Sequence, residues 1–148
     1  HAETRQDPGA ETEEVHWVLA DNAEIRPWHF TTSISGEIYR RRPLVFGNAC
    51  ASAGSIAADA SRDWGIVHAF PQIVTQLGAV GYVGTFARVN EGLAVEFAAS
   101  FYQYLLGQGM PIAKALWQVK DDYDAAGGAD PSWLFYCLYG DPLTTFTV

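Results

Sequence analysis

Two cysteines are the residues of this sequence best suited to chemistry, and their surroundings differ. Cys50 follows the apolar run 44–46 and the short run GNA, so it stands where a predicted strand ends. A thiol attacks well when a nearby base or positive charge raises its thiolate fraction. This position fits a reactive and a packed structural cysteine equally, because free cysteines are often simply buried. Cys137 lies within the apolar run LFYCLYG and is predicted to be structural.

A histidine is the usual base for a catalytic thiol, and the chain has four: His1, His16, His29 and His68. His16 precedes Trp17 in a predicted strand, and His29 lies between two aromatic residues. His68 stands just before a predicted helix. Lone histidines in such settings are mostly packed or surface residues, so spacing singles out none of them. Spacing alone gives no reason to choose His1, which is simply the first residue of the sequence.

Other chemistries lack the patterns that they need. The glycines at 78, 81 and 84 do not match a dinucleotide fingerprint, and no phosphate-binding lysine follows them. A serine-hydrolase elbow is not found, and no cysteine and histidine spacing suits zinc. The acidic residues Asp121, Asp122 and Asp124 are predicted to form a solvated helix face. We therefore expect no metal and no cofactor.

Composition limits the class of partner. The 148 residues are 49% hydrophobic and 14% aromatic, enough for one globular domain with a buried core. The net charge of −8 disfavours nucleic acid and anionic membranes, which attract cationic surfaces. No apolar run approaches the ~20 residues that span a bilayer. Two cysteines without a close pair suggest a reducing cytoplasm.

Apolar periodicity predicts alternating strands and helices from residue 44 onward. Strands are expected at 44–46, 80–86 and 133–139, and helices at 70–77, 93–105 and from Pro111 to Gly127. Upstream, residues 1–14 are polar and predicted to be a loop, while 15–19 and 25–30 indicate two short strands or a hairpin. Strands joined by helices predict a mainly parallel sheet with helices on its faces. Sites in such sheets lie beyond the carboxyl ends of strands, where Cys50 stands.

Four segments, read in order, resemble one family. They are PLVFGNACASA, AFPQIVTQLGAVGYVGTFARVNEG, FAASFYQYLLGQGMPIAKAL and PSWLFYCLYGDP. Together they are similar to the second part of a CHAT domain, the caspase-like domain found with tetratricopeptide repeats. The resemblance covers about 43–142. It implies a three-layer caspase-like α/β sandwich, so that 1–148 would be a single domain lacking its amino-terminal strands.

The resemblance also implies a function and a site. Members are cysteine endopeptidases in which a histidine ends one strand and the cysteine ends the next, so Cys50 becomes the nucleophile. His1 becomes the base, because it lies 50 − 1 = 49 positions before Cys50 and precedes a polar loop and a hairpin. The backbone N–H groups of Ala2 and Cys50 would then stabilise the oxyanion. A repeat or sensor region would gate cleavage of a protein substrate.

The loop after Gly84 resembles the substrate-binding loop of the family and carries Arg88, Asn90 and Glu91. Arg88 would favour an acidic residue in the substrate and Glu91 a basic one, so the preference stays open. Two alternatives to a protease also stay open. One is a catalytically inactive caspase-like scaffold or interaction module. The other is a flavodoxin-like ligand-binding domain, although its phosphate-binding turn is not found.

Overall fold

The chain folds as a mixed α/β structure built on two small sheets. A computed structural model describes residues 2–5, 14–18, 22–26, 29–49, 52, 70–127 and 130–147, with the backbone alone described for 2–5, 14–16 and 32–33. The strands are β1 (Ala2–Arg5), β2 (Glu14–Val18), β3 (Glu24–Ile25), β4 (Leu44–Gly47), β5 (Gly81–Thr85) and β6 (Tyr136–Gly140). The helices are α1 (Ser35–Arg41), α2 (Phe70–Gln76), α3 (Glu91–Tyr102) and α4 (Ile112–Ala125). Wide helical turns at Phe30–Ile34 and Gln103–Gly107 lead into α1 and extend α3, and a 3-10 turn at Pro131–Phe135 precedes β6.

The helix predictions downstream of residue 70 are confirmed. α2 carries Pro71 in its first turn and is followed by Gly78, whose φ of +102° suits glycine. α3 begins at Glu91 with Asn90 as its N-cap, and its apolar stripe continues into the turn that contains Leu105. α4 follows Pro111 and gives way to Gly127, whose φ is +62°. Pro111 and Gly127 flank α4 as the pattern predicted, whereas Asn90, the N-cap of α3, was predicted only as a substrate-binding residue.

The central sheet has the order β4-β5-β6 and is mixed in the described part of the chain, with one parallel and one antiparallel pair of strands. β4 and β5 are parallel, with Gly47 opposite Gly84, whereas β6 is antiparallel to β5, with Tyr136 opposite Thr85. The reason is that two helices, α3 and α4, connect β5 to β6. A second helix returns the chain to the end of the sheet from which it left, so the next strand must run in reverse.

Apolar side chains cover both faces of this sheet. We call one the α3–α4 face; its core contains Val83 and Tyr136 from the sheet and Phe97, Phe101 and Val119 from the helices. The ring of Phe97 stacks on that of Tyr136, with centroids 3.9 Å apart. The other is the α1–α2 face, and its buried members are Phe30, Ile38, Phe70, Ile73, Val74, Ala79 and Tyr82.

The second sheet corrects the prediction of a loop over 1–14. β1 pairs antiparallel with β2, with Ala2 opposite Trp17, and β2 pairs with β3. The sequence of β1, AETR, has no apolar alternation, so its strand character comes from pairing with β2. The expected strand at 25–30 is short, because Phe30 lies in a helical turn and packs edge-on against Trp17 at 6.0 Å.

The strand predicted at 133–139 begins later than expected. The Asp130 carboxylate accepts a hydrogen bond from Ser132 N–H at 2.9 Å, and Pro131 occupies the first helical position. These two features start a helical turn. Trp133 lies in that turn and is buried in the core of the α3–α4 face. β6 therefore starts only at Tyr136.

Candidate active site

The candidate site lies where the parallel strands β4 and β5 both end. Gly47 closes β4 and Thr85 closes β5, so the segments that follow them leave the same edge of the sheet. Cys50 itself lies outside the described residues. Ala49 before it and Ser52 after it are described, and their contacts define how this part of the chain is attached to the sheet.

The Ser52 hydroxyl joins the ends of the two strands. Its Oγ donates a hydrogen bond to Gly47 O at 2.5 Å and accepts one from Thr85 N–H at 3.2 Å. The residue is fully buried, at 0% exposure. Parallel strands that separate leave a carbonyl and an N–H without ladder partners, and a buried group of either kind needs one. One serine satisfies both.

Three further bonds attach the segment on either side of Cys50. Thr85 Oγ1 donates to Ala49 O at 3.0 Å, and the Tyr82 hydroxyl donates to Ser52 O at 2.8 Å. Ser52 N–H donates to Ala49 O at 3.1 Å. Ala49 and Ser52 are therefore held against each other and against β5.

Two glycines make room for this arrangement. A Cβ on Gly84 would lie 2.6 Å from Ser52 Oγ and 2.5 Å from the Tyr82 ring. A Cβ on Gly47 would overlap the Tyr82 hydroxyl and lie 3.1 Å from Ser52 Oγ. The Tyr82 side chain thus packs directly over Gly47 and Gly84, where any Cβ atom would clash with it. Burial raises the pKa of Tyr82 well above its ordinary value, so its hydroxyl keeps the proton that it donates.

Asn48 ties the end of β4 to the α3–α4 face. Its Oδ1 accepts a hydrogen bond from the Tyr136 hydroxyl at 2.8 Å, and its Nδ2 donates to Ala94 O at 3.0 Å. Sequence reasoning assigned Asn48 to a family motif but missed this role. It also missed the roles of Ser52, Thr85 and Tyr82. The available signal was hydroxyl residues beside the ends of two buried strands.

The loop predicted to bind substrate begins immediately beyond β5. Arg88 is exposed, and no partner for its guanidinium is found among the described residues. Asn90 is the N-cap of α3: its Oδ1 accepts from Gly92 N–H at 2.9 Å and Leu93 N–H at 3.4 Å. Glu91 occupies the first turn, where the helix dipole favours a carboxylate. Asn90 and Glu91 therefore have structural reasons to be present, whereas Arg88 has none in this part of the chain.

The histidines are described unevenly. His1, the predicted base, and His68 lie outside the described residues. His16 stands in β2 opposite Glu3. His29 is half-buried, and its Nδ1 accepts a hydrogen bond from Arg26 N–H at 3.0 Å, which gives the ring a local structural role. Ala2, the predicted oxyanion donor, begins β1.

The sheet that contains Ala2 packs on the face from which Tyr82 reaches Ser52. Trp17, opposite Ala2, stacks on Phe70 with ring centroids 4.2 Å apart. Phe70 and Tyr82 belong to the same buried cluster. The β1–β2 pair and the segment at Ser52 are therefore connected through one face of the central sheet.

Cys137 has the contacts of a structural thiol. It lies in β6 opposite Gly84, is half-buried, and its Sγ donates to Gly84 O at 3.4 Å. Burial raises the pKa of this thiol, and the interactions with Tyr139 and Lys120 oppose the shift more weakly. The thiolate form is thus disfavoured, in agreement with the structural role that its sequence predicted.

The acidic residues Asp121, Asp122 and Asp124 of α4 are exposed, and Asp122 has ordinary partners. Asp122 accepts hydrogen bonds from the Tyr104 hydroxyl at 2.6 Å and from Gln118 Nε2 at 3.2 Å. Within the described ranges, no cluster of histidine, cysteine, aspartate and glutamate could hold a metal ion. Nor is any helix described there both long enough and apolar enough to span a bilayer.

A scan of the chain against protein-family models and a search of curated proteins both find no match. A function for this chain is therefore inferred from its residues and their geometry.

Proposed function

We propose that this chain is part of a cysteine endopeptidase of the CHAT type, with Cys50 as the nucleophile. The observation that carries the proposal is the attachment of Ala49 and Ser52 to the ends of β4 and β5. A displayed nucleophile must be held firmly while a substrate approaches. The hydrogen bonds of Ser52 and Thr85 supply such a support on both sides of Cys50.

The reaction needs only groups of the protein and water. His1 removes the proton from the Cys50 thiol, and the sulfur attacks the substrate carbonyl to form a tetrahedral oxyanion. The N–H groups of Ala2 and Cys50 stabilise that charge. His1 then protonates the departing amine, which breaks the peptide bond and leaves a thioester. Water, deprotonated by the same imidazole, hydrolyses the thioester and regenerates the thiol.

The position of Ala2 supports His1 as the base. Ala2 begins a strand whose partner residue, Trp17, packs on the α1–α2 face. Tyr82 on that face donates to Ser52 O, two residues after the cysteine. These contacts favour a base that approaches Cys50 from the side of β1.

The caspase-like three-layer architecture is part of the proposal. Helices on both faces of the central sheet support it. Within the described part of the chain, β4 is hydrogen-bonded to a single strand, β5. Further parallel strands beside β4 would complete a caspase-like sheet, and a repeat or sensor region would gate access to the site.

An electrophilic peptide probe tests the proposal in the intact protein. We expect an acyloxymethyl ketone peptide to label Cys50, as located by mass spectrometry. Labelling should vanish in Cys50→Ala, fall strongly in His1→Ala, and persist in the matched variant Cys137→Ala. Label that survives Cys50→Ala contradicts the assignment of the nucleophile. A protein that no such probe labels and that cleaves no peptide is instead a catalytically inactive scaffold.

Probes with different recognition residues then address the substrate. Arg88 is exposed and lacks a described partner, whereas Glu91 is placed in the first turn of α3. A probe with an acidic residue before the electrophile should therefore label faster than one with a basic residue. Arg88→Gln should remove that difference, and an unchanged preference would exclude Arg88 as its source.

A further inference from the structure

A pair of hydroxyl groups links the end of β5 to the segment that contains Cys50. Ser52 Oγ, from the segment, accepts from the backbone N–H of Thr85 at 3.2 Å. Thr85 Oγ1, from the strand, donates to the backbone carbonyl of Ala49 at 3.0 Å. The Ser52 side chain thus bonds to the backbone of Thr85, and the Thr85 side chain bonds to the backbone of Ala49, so the two bonds attach β5 to the chain on both sides of the cysteine. We call Ser52 and Thr85 the hydroxyl bracket.

The bracket is sealed from solvent. Ser52 is 0% exposed and Thr85 is 1% exposed. Water therefore has no ready access to replace a missing hydroxyl, and removal of one leaves a buried carbonyl or N–H without its partner. The Tyr82 hydroxyl, which donates to Ser52 O, fixes Ser52 from a third direction.

We propose that the hydroxyl bracket positions the Cys50 thiol for attack, so that Ser52 and Thr85 are positioning residues of the site. This inference rests on the proposed function of Cys50 as the nucleophile. Neither hydroxyl contacts the reacting atoms in the proposed mechanism. Each hydroxyl fixes the backbone on one side of Cys50. If the reacting sulfur is displaced by about 1 Å, turnover falls roughly 100-fold.

Paired variants of the intact protein test the role of each hydroxyl. Thr85→Val keeps the shape of the side chain and removes the bond to Ala49 O, whereas Thr85→Ser keeps the hydroxyl. Ser52→Ala removes both bonds of the Ser52 hydroxyl. Its matched control is Ser132→Ala, because Ser132 is also a buried serine but makes none of the bonds that attach the segment containing Cys50.

On a peptide substrate we expect Ser52→Ala to lower kcat about 10- to 100-fold, with KM within about twofold, as a misplaced nucleophile requires. Thr85→Val should lower kcat less, and Thr85→Ser should restore most of it. Ser132→Ala should match the wild type. Unchanged kcat in both Ser52→Ala and Thr85→Val overturns the inference, as does an equal loss in Thr85→Ser and Thr85→Val.

A second measurement separates this inference from the proposed function. The rate of Cys50 alkylation by iodoacetamide, followed by mass spectrometry across pH, needs no peptidase activity. Cys137 in the same sample is the internal reference.

If the wild type cleaves nothing but the bracket variants change the alkylation rate or its pH midpoint at Cys50, the positioning role is supported and the protease assignment fails. If activity is present and both quantities match the wild type in Thr85→Val, positioning fails alone. Should Ser52→Ala not fold, the Thr85 pair decides.

Discussion

The two faces of the central sheet are built for different purposes. The α3–α4 face is closed by long helices, and its buried residues include Phe97, Phe101 and Val119, all at 0% exposure. The α1–α2 face is covered by two seven-residue helices, and its core includes a tyrosine whose hydroxyl reaches out of the cluster to Ser52. Both faces bury apolar side chains, and the α1–α2 face in addition bonds to Ser52, after the cysteine.

The two faces differ in which residue beyond β4 the hydroxyl of their buried tyrosine reaches. Tyr82 and Tyr136 are both buried aromatic residues with donating hydroxyls, and both reach the segments beyond β4. Tyr136 secures Asn48, before the cysteine, whereas Tyr82 secures Ser52, after it. The segment that contains Cys50 is therefore anchored from both faces, by Tyr136 before the cysteine and by Tyr82 after it.

The largest expected effect is on the α3–α4 face. Phe101→Ala removes a fully buried ring that packs against Phe46 at 5.2 Å, and should lower the free energy of unfolding by about 3–5 kcal/mol. Urea unfolding measures it. Val95→Ala, on an exposed position of the same helix, is the control and should change stability by less than about 0.5 kcal/mol.

The folded fraction of Phe101→Ala should still be labelled at Cys50, because Phe101 makes none of the bonds that hold Ser52 or Thr85. A loss of labelling larger than the unfolded fraction would show that the two faces are not separable. In that case the distinction between a stabilising face and a supporting face is wrong.

The next effect tests the α1–α2 face. Gly84→Ala forces a methyl group to within 2.6 Å of Ser52 Oγ and against the Tyr82 ring, so we expect a loss of about 1–3 kcal/mol. Probe labelling of Cys50 should also slow, since Ser52 must move. Gly36→Ala is the control: its methyl group meets nothing within 4 Å, and stability should hold or rise slightly. Equal behaviour of the two variants would contradict the close packing around Gly84.

Local patterns predicted the α3–α4 face well. The stripe Leu93, Phe97, Phe101 and Leu105 recurs at helical spacing, and three of these four side chains are fully buried or nearly so. Pro111 and Gly127 marked the limits of the next helix for reasons that involve only their own backbones. Such features depend on neighbours a few residues away, so the sequence alone was enough to predict them.

The rest depends on contacts between distant residues. β1 is polar and becomes a strand only by pairing with β2. Ser52 and Thr85 are 33 positions apart, and no periodicity relates them, yet their hydrogen bonds define the edge of the candidate site. The reversed direction of β6 is different, because it follows from the two helices between β5 and β6, which the pattern did predict. Cys50 could be assigned to a strand end from the sequence, whereas the bonding partners of the nearby hydroxyl residues could not.

A smaller effect concerns the junction between the α3–α4 face and the site. Asn90→Ala removes the side-chain oxygen that caps α3 and should lower the free energy of unfolding by about 1 kcal/mol. Asn90→Asp retains a capping oxygen and should stay within a few tenths of a kcal/mol of the wild type. Thermal unfolding of the three proteins measures this. An equal loss in both variants would mean that the cap is not what Asn90 contributes to stability.

The smallest effect is a pH dependence on the α1–α2 face. Burial raises the pKa of Cys137 above its ordinary value near 9, so folding favours the protonated thiol. That contribution is complete below the unfolded pKa and is lost as the pH rises through the higher folded pKa. The free energy of unfolding should therefore decline above about pH 9, and more steeply with Cys137 present than in Cys137→Ala.

Both proteins should carry Cys50→Ala, so that only one thiol differs between them. Urea unfolding at pH 7, 9 and 10 gives the two slopes. Parallel slopes throughout would mean that Cys137 is open to solvent, and the α1–α2 face would then be less closed than its contacts indicate.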